Sequence, residues 1–414
     1  MIITILGGSA PSTPVLAQAL SASLTRPVTL RLAGRNDERL QAVARACRLL
    51  SDGTRLDIVT CGGTGWLRSI EGADIVVIQL RQGGYAGRSF DETFPRSAAI
   101  PGDEGLGPGG LSSAWRAWPL ISQCLERIRS DAPSSRIMLV SSPGGLLVRL
   151  AHAVFPSLAV VHPCELPLLT FQALSARCGV PWEAATFEYF GLNHLGWFLR
   201  LESGGTDLIA RHVAAGITTF PSSQLVSRLG AFPLSYLRLH YARQEVLAEQ
   251  AARSRTRGEE LAELHGSAMA AFTGGDRADI HAALGRRPAP WHAGAVVPLL
   301  KAWMGHDVHL PLFLTQATDE GPVVERPYSA RGGRLELVVA SCPVPPPLQW
   351  LMDSLIACEE LAAAAILSRF ETDLETALKA HPWVTQRGSA RRMARQIVAQ
   401  SLEVDSEEGS VLSA

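Results

Sequence analysis

The sequence lacks an excess of charge of either sign. Lys and Arg together number 38 and Asp and Glu together number 39, which leaves a formal net charge of −1. A surface that binds nucleic acid through its phosphates needs a concentration of basic residues, and the sequence contains no basic run. We therefore expect no nucleic-acid partner. A small-molecule enzyme needs only local charge, so the balance leaves that class open.

Paired cysteines and long apolar segments are also missing from the sequence. The 7 cysteines form no CxxC pair, which is typical of proteins in a reducing compartment rather than of disulfide-linked ones. No uninterrupted apolar run of about 18 residues occurs, so we expect no transmembrane helix and no membrane partner. Residues 2–6 are apolar but have no charged region before them, and they predict a buried strand rather than a signal peptide. We expect a cytoplasmic protein.

Apolar residues, by contrast, are plentiful enough for a large core. Hydrophobic residues make up 47% of the 414 residues and charged residues 19%, which excludes disorder along the whole chain. At about 100–200 residues per domain, this length leaves room for two or three domains.

Short apolar runs alternate with helical patterns in the first third of the chain. Strands are predicted at residues 2–6, 28–33, 55–61, 73–80 and 136–141, and helices at residues 14–24, 37–50 and 113–129. Strands and helices in strict turn predict a parallel sheet with helices on both faces. We therefore predict an α/β fold, with a Rossmann-like doubly wound parallel sheet in residues 1–165.

The remaining chain has a different pattern. Helices are predicted at residues 171–178, 234–253, 259–273, 296–303 and 348–367, with short strands at residues 187–190 and 335–339. This mixture predicts a second, α+β domain in residues 166–414.

Glycine and polar residues follow the predicted strands where a parallel sheet binds its ligands. Gly7, Gly8 and Ser9 follow the first strand and lead into a helix. Glycine lets the backbone approach a pyrophosphate, and the helix start offers free N–H groups to it. The full G-x-G-x-x-G pattern is absent, and any strand-to-helix turn can use glycine. We assign this turn to a dinucleotide, together with Arg81 and Ser142, which follow later strands.

The residues after the second strand bear on the kind of dinucleotide. NAD-binding sheets carry an acid at this position, whereas the sequence has Gly34 followed by Arg35. A guanidinium group there suits the 2′-phosphate of NADP. The alternative is that Arg35 is a solvated residue at a helix start. NAD and NADP therefore both stay open.

Several further motifs occur in a characteristic order. They are R-x-G-G from Arg81 with Arg88 and Asp91-Glu92 after it, G-x-G-G from Gly107, Cys164 with Pro167, G-L-N-H-L from Gly191, Tyr236-Leu237-Arg238 and Val324-Glu325. In this combination the chain resembles glycoside hydrolase family 4, the NAD- and metal-dependent 6-phospho-glycosidases, and is nearest their 6-phospho-β-glucosidase branch.

The resemblance implies an unusual route to hydrolysis. This family is an exception to the two-carboxylate scheme of most glycosidases. The cofactor takes a hydride from C3 of the sugar, a tyrosine removes the C2 proton, and the leaving group departs from C1 by elimination. Water then adds and the hydride returns. One cysteine and one histidine bind a divalent metal, usually Mn²⁺.

The resemblance also assigns the metal ligands and the base. The metal ligands fall on Cys164 and His194, with His162 as a weaker candidate. A thiolate and an imidazole would leave coordination positions open for the substrate. The alternative is a buried apolar cysteine and a core histidine. The base falls on Tyr236, with Tyr241 as second choice.

The other assignments concern the leaving group, the substrate and the assembly. The acid is Glu104 or the adjacent Asp103, although either can be an ordinary loop acid. The resemblance further implies a homodimer or homotetramer. The substrate-binding residues are assigned as Arg88, Glu165, Asn193 and Arg287.

The sequence departs from the family at the expected substrate site. Glu165 stands where the family has an asparagine, Ser141-Ser142-Pro143 replaces T-N-P, and the R-G-G-x-Y-Y-S element reads R-P-A-P-W-H-A from Arg287. A carboxylate about 4 Å from a sugar phosphate costs about 1–4 kcal/mol. We therefore predict that recognition of a 6-phosphate is weakened or lost. Arg88 and Arg287 keep a phosphorylated substrate open, as anion clamps.

Three functions remain in consideration. The first is a glycosidase that uses a nicotinamide cofactor and a divalent metal, with a substrate that need not be 6-phosphorylated. The second is a sugar oxidoreductase or epimerase with the same cofactor and metal site, which the altered substrate positions favour. The third is a sensor that has lost activity, against which the presence of Cys164, His194 and Tyr236 argues.

Overall fold

The computed structural model of the protein describes residues 1–51, 55–318 and 321–412. Its strands are β1 (Ile2–Leu6), β2 (Val28–Ala33), β3 (Leu56–Cys61), β4 (Ile75–Ile78), β5 (Arg136–Leu139), β6 (Val160–Cys164), β7 (Ala185–Leu192), β8 (Leu195–Ser203), β9 (Thr206–Asp207), β10 (Phe232–Pro233), β11 (Val308–Thr318), β12 (Gly321–Arg331) and β13 (Arg334–Leu337).

The helices alternate with these strands at first and then dominate. They are α1 (Thr13–Ser21), α2 (Asp37–Leu50), α3 (Gly84–Thr93), α4 (Gly107–Asp131), α5 (Gly144–Val154), α6 (Leu166–Cys178), α7 (Leu208–Ala214), α8 (Ser223–Leu229), α9 (Arg238–Tyr241), α10 (Arg243–Ala252), α11 (Arg257–Gly274), α12 (Arg277–Arg286), α13 (Val297–Trp303), α14 (Pro346–Ser368), α15 (Glu371–Ala380) and α16 (Arg387–Leu412).

The first six strands form the predicted parallel sheet. They lie in the order β3-β2-β1-β4-β5-β6, the strand order of a doubly wound dinucleotide-binding sheet. β4, in the middle of this sheet, is apolar and fully buried because helices cover both faces. The predicted α/β class and the Rossmann-like sheet are confirmed.

The sheet does not stop at the last parallel strand. β11 pairs antiparallel with β6, and Phe313 lies opposite Cys164. From β11 the sheet continues through β12, β7 and β8 to β10, while β13 pairs with β12 and β9 with β8. The antiparallel strands and the helices around them make the later part of the chain mixed, as predicted. The two predicted domains share this sheet, and the boundary at residue 165 stays a prediction.

Several predicted elements differ from those in the structure. α4 starts at Gly107, six residues before the predicted start, because Pro108 can occupy the first turn of a helix, where a missing N–H costs nothing. The predicted helix 234–253 is divided into a 3-10 turn (Ser235–Leu237), α9 and α10, with a break at Ala242. The prediction also omitted β8, β11 and β12. Pro311 and Pro327 interrupt the strand pattern of the last two.

A buried ion pair fixes α3 against α4. The Arg116 guanidinium on α4 donates to both carboxylate oxygens of Asp91 on α3, at 2.9 and 2.5 Å. This pair holds α3, and Arg88 on it, beside the start of α4. In the described residues, no helix is long and apolar enough to span a membrane.

Candidate active site

The carboxyl ends of the parallel strands meet at one edge of the sheet and define the site. Gly7, Gly34 and Cys164 lie at the ends of β1, β2 and β6, and Arg81 and Ser142 follow β4 and β5 within three residues. These are the positions at which a sheet of this topology binds its ligands.

The turn between β1 and α1 has the form that a dinucleotide requires. Gly7 has a φ of +87°, and a Cβ atom there would lie 2.7 Å from the carbonyl oxygen of Gln79, so glycine is needed. The N–H groups of Gly7 and Gly8 both donate to the Ala33 carbonyl at 2.9 Å. Ser9 continues the turn. The Ser12 side chain makes no hydrogen bond that caps the start of α1.

Cys164 and His194 come together where β6 approaches the β7–β8 hairpin. The Cys164 Sγ lies 3.5 Å from His194 Nδ1. His194 is in the short connection between β7 and β8 and has a φ of +67°, an uncommon conformation for a residue with a side chain. Such backbone conformations are concentrated at functional sites.

The protonation states of Cys164 and His194 suit a site in which a metal ion binds both side chains and the substrate fills the remaining coordination positions. Burial, with Glu325 and Glu165 nearby, raises the pKa of the Cys164 thiol well above its ordinary value. Burial lowers the pKa of His194 to about 4, so its imidazole is neutral at pH 7. A bound cation favours the thiolate, and neutral imidazole is the form that binds metals. Among the described residues, no group of three or more His, Cys, Asp and Glu side chains could hold a metal ion.

Glu325 on β12 holds the metal-ligand candidates in place, a role that the sequence reasoning did not assign. Its carboxylate is buried and accepts hydrogen bonds from the Tyr189 hydroxyl and from Asn193 Nδ2, the latter at 3.1 Å. Burial raises the pKa of Glu325 to about 7. The available signal was the Val324-Glu325 motif of the family resemblance. Asn193, a predicted substrate residue, thus directs its amide nitrogen to Glu325.

Tyr236 stacks directly on the candidate metal ligand. Its ring centroid lies 4.7 Å from that of His194, with 13° between the ring planes. The nearby Asp103 carboxylate and burial raise the pKa of the Tyr236 phenol. The phenol is therefore neutral at pH 7 unless positive charge is added beside it. Tyr241, the second choice, instead packs on His240, with ring centroids 4.8 Å apart.

The adjacent acids Asp103 and Glu104 have opposite environments. Glu104 pairs with both Arg81 and Arg88, and these cations hold its pKa below the ordinary value although burial opposes this. Asp103 accepts from the Gly105 N–H at 2.8 Å. Burial raises its pKa to about 7, against the lowering effect of this hydrogen bond. Asp103 is thus the acid that can carry a proton near neutrality.

The predicted substrate residues Arg88 and Arg287 lie in the same region and differ in how many of their hydrogen-bond donors are already paired. Arg88 donates to Glu92 at 2.7 Å as well as pairing with Glu104. Arg287 Nη2 donates to the Tyr85 hydroxyl at 3.4 Å. In the part of the chain that the structure describes, its buried Nε and Nη1 atoms have no hydrogen-bond partner. Arg287 therefore retains donors for an anion.

Glu165 lies between Cys164 and the first residue of α6, as the N-cap of that helix. Glu165 packs closely on the π-helical turn His292–Val296. A Cβ atom added at Gly294 of that turn would lie 2.8 Å from the Cβ of Glu165. Burial raises the pKa of its carboxyl group. Its charge is close enough to raise the pKa of Tyr236 as well.

The last two predicted residues are Arg35 and His162, and His162 is close enough to His194 for the two rings to interact electrostatically. Arg35 is exposed at the end of β2, where the adenosine end of a dinucleotide would lie. His162, the weaker metal-ligand candidate, is buried, and its Nδ1 hydrogen-bonds to the Leu139 carbonyl at 2.8 Å. That bond fixes the ring against the backbone of β5.

Comparison with protein families identifies related sequences. Residues 1–179 match the model described as family 4 glycosyl hydrolase, and residues 189–307 match the C-terminal domain model of the same family. Together the two matches span most of the chain.

Known proteins share parts of the sequence and nearly all of the fold. The 6-phospho-alpha-glucosidase 1 of Lacticaseibacillus paracasei is 26% identical over 211 residues, which cover 50% of this chain and 48% of that protein. The match spans about half the length of such relatives. The 6-phospho-beta glucosidase of Thermotoga maritima, solved with NAD and glucose-6-phosphate, superposes with a TM-score of 0.84 at 20% identity, over 98% of this chain and 99% of that one.

A third relative, a 6-phospho-alpha-glucosidase from gut microorganisms, was solved with NAD and Mn²⁺. Its TM-score is 0.77 at 17% identity, over 98% of both chains. At these identities the structural likeness shows a shared fold.

The Glu325 contacts lead to a prediction about metal affinity. We expect Glu325→Gln to weaken binding of Mn²⁺ about 10- to 100-fold, because the groups that orient ligands contribute that much. Titration followed by the electron paramagnetic resonance of free Mn²⁺ measures the affinity. The matched control is Glu188→Gln, since Glu188 on β7 accepts hydrogen bonds from the Ser341 and Cys342 backbone instead. Equal affinities for wild type and Glu325→Gln would rule out the positioning role.

Proposed function

The chain belongs to family 4 of the glycosyl hydrolases, and on that premise we propose that it cleaves a glycosidic bond by oxidation at C3, elimination across C1 and C2, addition of water and reduction. The proposal rests on one cluster of side chains. Tyr236 stacks on His194, His194 contacts Cys164, and the Asp103 carboxylate raises the pKa of Tyr236. A phenol, a carboxyl group, a thiol and an imidazole thus lie close together at the carboxyl edge of the sheet.

The residues present fit both helper groups. The close β1–α1 turn fits a dinucleotide pyrophosphate, held at Gly7, Gly8 and Ser9, because glycine lets the phosphates approach the backbone. The thiol and the neutral imidazole of Cys164 and His194 fit a divalent ion such as Mn²⁺. When bound, the nicotinamide takes up and returns the electrons of the sugar oxidation, and the ion adds positive charge beside the reacting carbons.

The residues at the end of β2 allow the dinucleotide to be either NAD or NADP. Related structures were solved with NAD. Here Gly34 is buried and Arg35 is exposed. No acid stands between β2 and Arg35 to bind a ribose hydroxyl. We propose that the site accepts either cofactor.

The chain's own groups divide the elimination between them. Once the Tyr236 phenol has released its proton to solvent, which positive charge bound beside it favours, Tyr236 Oη takes the proton from C2, the electron pair left at C2 forms the C1–C2 double bond, and the bond from C1 to the leaving oxygen breaks. Asp103 gives its proton to that oxygen, since its pKa of about 7 keeps it protonated near neutrality. Glu104 stays ionised and fixes Arg81 and Arg88. Addition of water runs through the same groups in reverse.

We propose that the substrate need not carry a 6-phosphate. Arg88 is engaged by Glu92 and Glu104, and the Glu165 carboxyl group directly after Cys164 would repel a nearby phosphate when it is ionised. The unpartnered donors of Arg287 favour the other candidate, a phosphorylated glycoside like those named for the relatives. The two candidates differ in one substituent and can be compared directly.

The proposal extends to the setting in which the protein works. All seven cysteines are free thiols, which suits a reducing cytoplasm. We propose a homodimer or homotetramer, the assembly that the family resemblance implies.

Isotope labelling tests the reaction. In D₂O with Mn²⁺ and cofactor, we expect deuterium at C2 of the released sugar and no net reduction of the cofactor, because Tyr236 exchanges its proton with solvent. Mass spectrometry and NMR of the product measure both. We expect the unphosphorylated member of a matched pair of aryl glycosides to have the higher kcat/KM, by about 5- to 1,000-fold, given a repulsion of about 1–4 kcal/mol.

Other outcomes of the labelling and rate measurements would lead to different conclusions about the reaction and the substrate. An unlabelled C2 would exclude the elimination mechanism. Accumulation of reduced cofactor with a keto-sugar and no released aglycone would show an oxidoreductase instead. A preference for the phosphorylated glycoside would assign Arg287 as its anion clamp.

The pKa of Asp103 predicts the pH dependence of the reaction. Because burial raises that pKa to about 7, Asp103 carries its proton below this pH and loses it above. We expect kcat to fall as the pH rises through about 7 when the leaving group is a weakly acidic alcohol. Asp103→Asn should lower kcat about 10²- to 10⁴-fold and remove this pH dependence.

Two controls connect the pH effect with Asp103. A glycoside with an acidic phenol as its leaving group needs little protonation, so Asp103→Asn should affect it much less. Glu325→Gln, at saturating Mn²⁺, should keep the decline, although burial also gives Glu325 a pKa of about 7. If Asp103→Asn retained the decline, another group would be the acid.

A further inference from the structure

A single buried indole lies between the segments that carry the proposed acid and the proposed base. Trp383 is in the loop between α15 and α16, and only 1% of its surface is exposed. One side chain of the C-terminal region thus contacts both segments.

The first contact of Trp383 is with the segment of the acids. Gly107 begins α4, directly after the loop that carries Asp103 and Glu104. It has a φ of +60°, and a Cβ atom there would lie 2.8 Å from Cε3 of the Trp383 ring. Only glycine allows the indole to pack this closely on the loop.

The second contact is with the segment of the base. The indole Nε1–H of Trp383 donates to His240 Nδ1 at 3.2 Å. His240 is in α9, which directly follows the 3-10 turn that carries Tyr236. Burial and the nearby Arg243 lower the pKa of His240, so its ring is neutral and Nδ1 can accept the bond.

The Trp383 loop is itself held in place. The backbone N–H of Trp383 donates to Nδ1 of His381 at 3.1 Å, and the two rings meet edge to face, with centroids 5.0 Å apart. The indole is therefore oriented by its own loop as well as by its two partners.

The break between α9 and α10 makes these contacts important. Ala242, with φ −123° and ψ 38°, separates the two helices. The turn that carries Tyr236 is therefore not aligned by a long continuous helix. Its N-terminal side is fixed by the backbone hydrogen bond from Leu234 N–H to the Gly196 carbonyl at 2.9 Å, and its C-terminal side by side-chain contacts. Trp383 supplies one of them and ties it to Gly107.

We infer that Trp383 is a positioning residue that sets the separation of Tyr236 from the Asp103–Glu104 loop. The inference rests on the proposed function, because its consequence is the alignment of proton transfer at C2 with protonation of the leaving group. Misplacement of a reacting group by about 1 Å can lower a rate about 100-fold. Loss of the Trp383 hydrogen bond should therefore affect the chemical step more than binding.

The test uses variants of the full-length protein. Trp383→Phe keeps a ring against Gly107 but removes the N–H donor. We expect the rate of C2 deuterium exchange and kcat to fall about 10- to 100-fold. KM for the glycoside, cofactor affinity and melting temperature should stay near the wild-type values. The matched control is Trp118→Phe, a buried tryptophan of α4 that packs on Phe155.

Changes at the acceptor distinguish positioning from general damage. His240→Gln offers a side-chain oxygen to the indole and should retain most activity, whereas His240→Leu should lose as much as Trp383→Phe. The double variant Trp383→Phe/His240→Leu should lose little more than either single variant, because both remove the same bond.

Each outcome leads to a separate conclusion. If wild type exchanges C2 and Trp383→Phe exchanges at the same rate, the positioning role is excluded and the proposed function stands. The role is also excluded if activity falls only in step with a lower melting temperature, or if the two single losses multiply in the double variant. If wild type shows no C2 exchange, the proposed function fails and the inference fails with it.

Discussion

The antiparallel pairing of β11 with β6 is the interaction on which the site depends. β6 is the last parallel strand, and β11 continues the sheet beyond Cys164. Through β12 this extension reaches the β7–β8 hairpin, where Gly191 pairs with Glu325. The register places the hairpin so that His194 lies 3.5 Å from Cys164. One sheet thus joins the proposed dinucleotide site to the candidate metal site.

The electrostatics of the site depend on added positive charge. Burial and neighbouring carboxyl groups raise the pKa values of Cys164 and Tyr236, so the thiol and the phenol keep their protons. A cation bound at Cys164 would favour release of both protons. Asp103 is different, since its pKa of about 7 lets it carry a proton near neutrality without a bound cation. The arrangement keeps the proposed base inactive until the site is filled.

Local sequence patterns predicted the parts of the fold that local forces determine. The strand at residues 2–6, its glycine turn and the helix at residues 37–50 follow from hydrophobic period and turn chemistry. The pairing of β11 with β6 and the contact of Trp383 with His240 join distant parts of the chain and leave no periodic signal. The resemblance indicated Cys164, His194 and Tyr236, whereas the role of Glu325 required the structure. Residue types alone also left the division between Asp103 and Glu104 open, because it depends on the arginines that surround Glu104.

The central claim is that Tyr236 removes the C2 proton after the sugar has been oxidised within this cluster. The most direct measurement mixes Tyr236→Phe, loaded with cofactor and Mn²⁺, with a chromogenic glycoside and follows reduced nicotinamide and released aglycone together. The account predicts that reduced cofactor accumulates while aglycone release is slowed about 100-fold or more. Aglycone release at the wild-type rate would contradict it, as would slow release without any reduction of the cofactor.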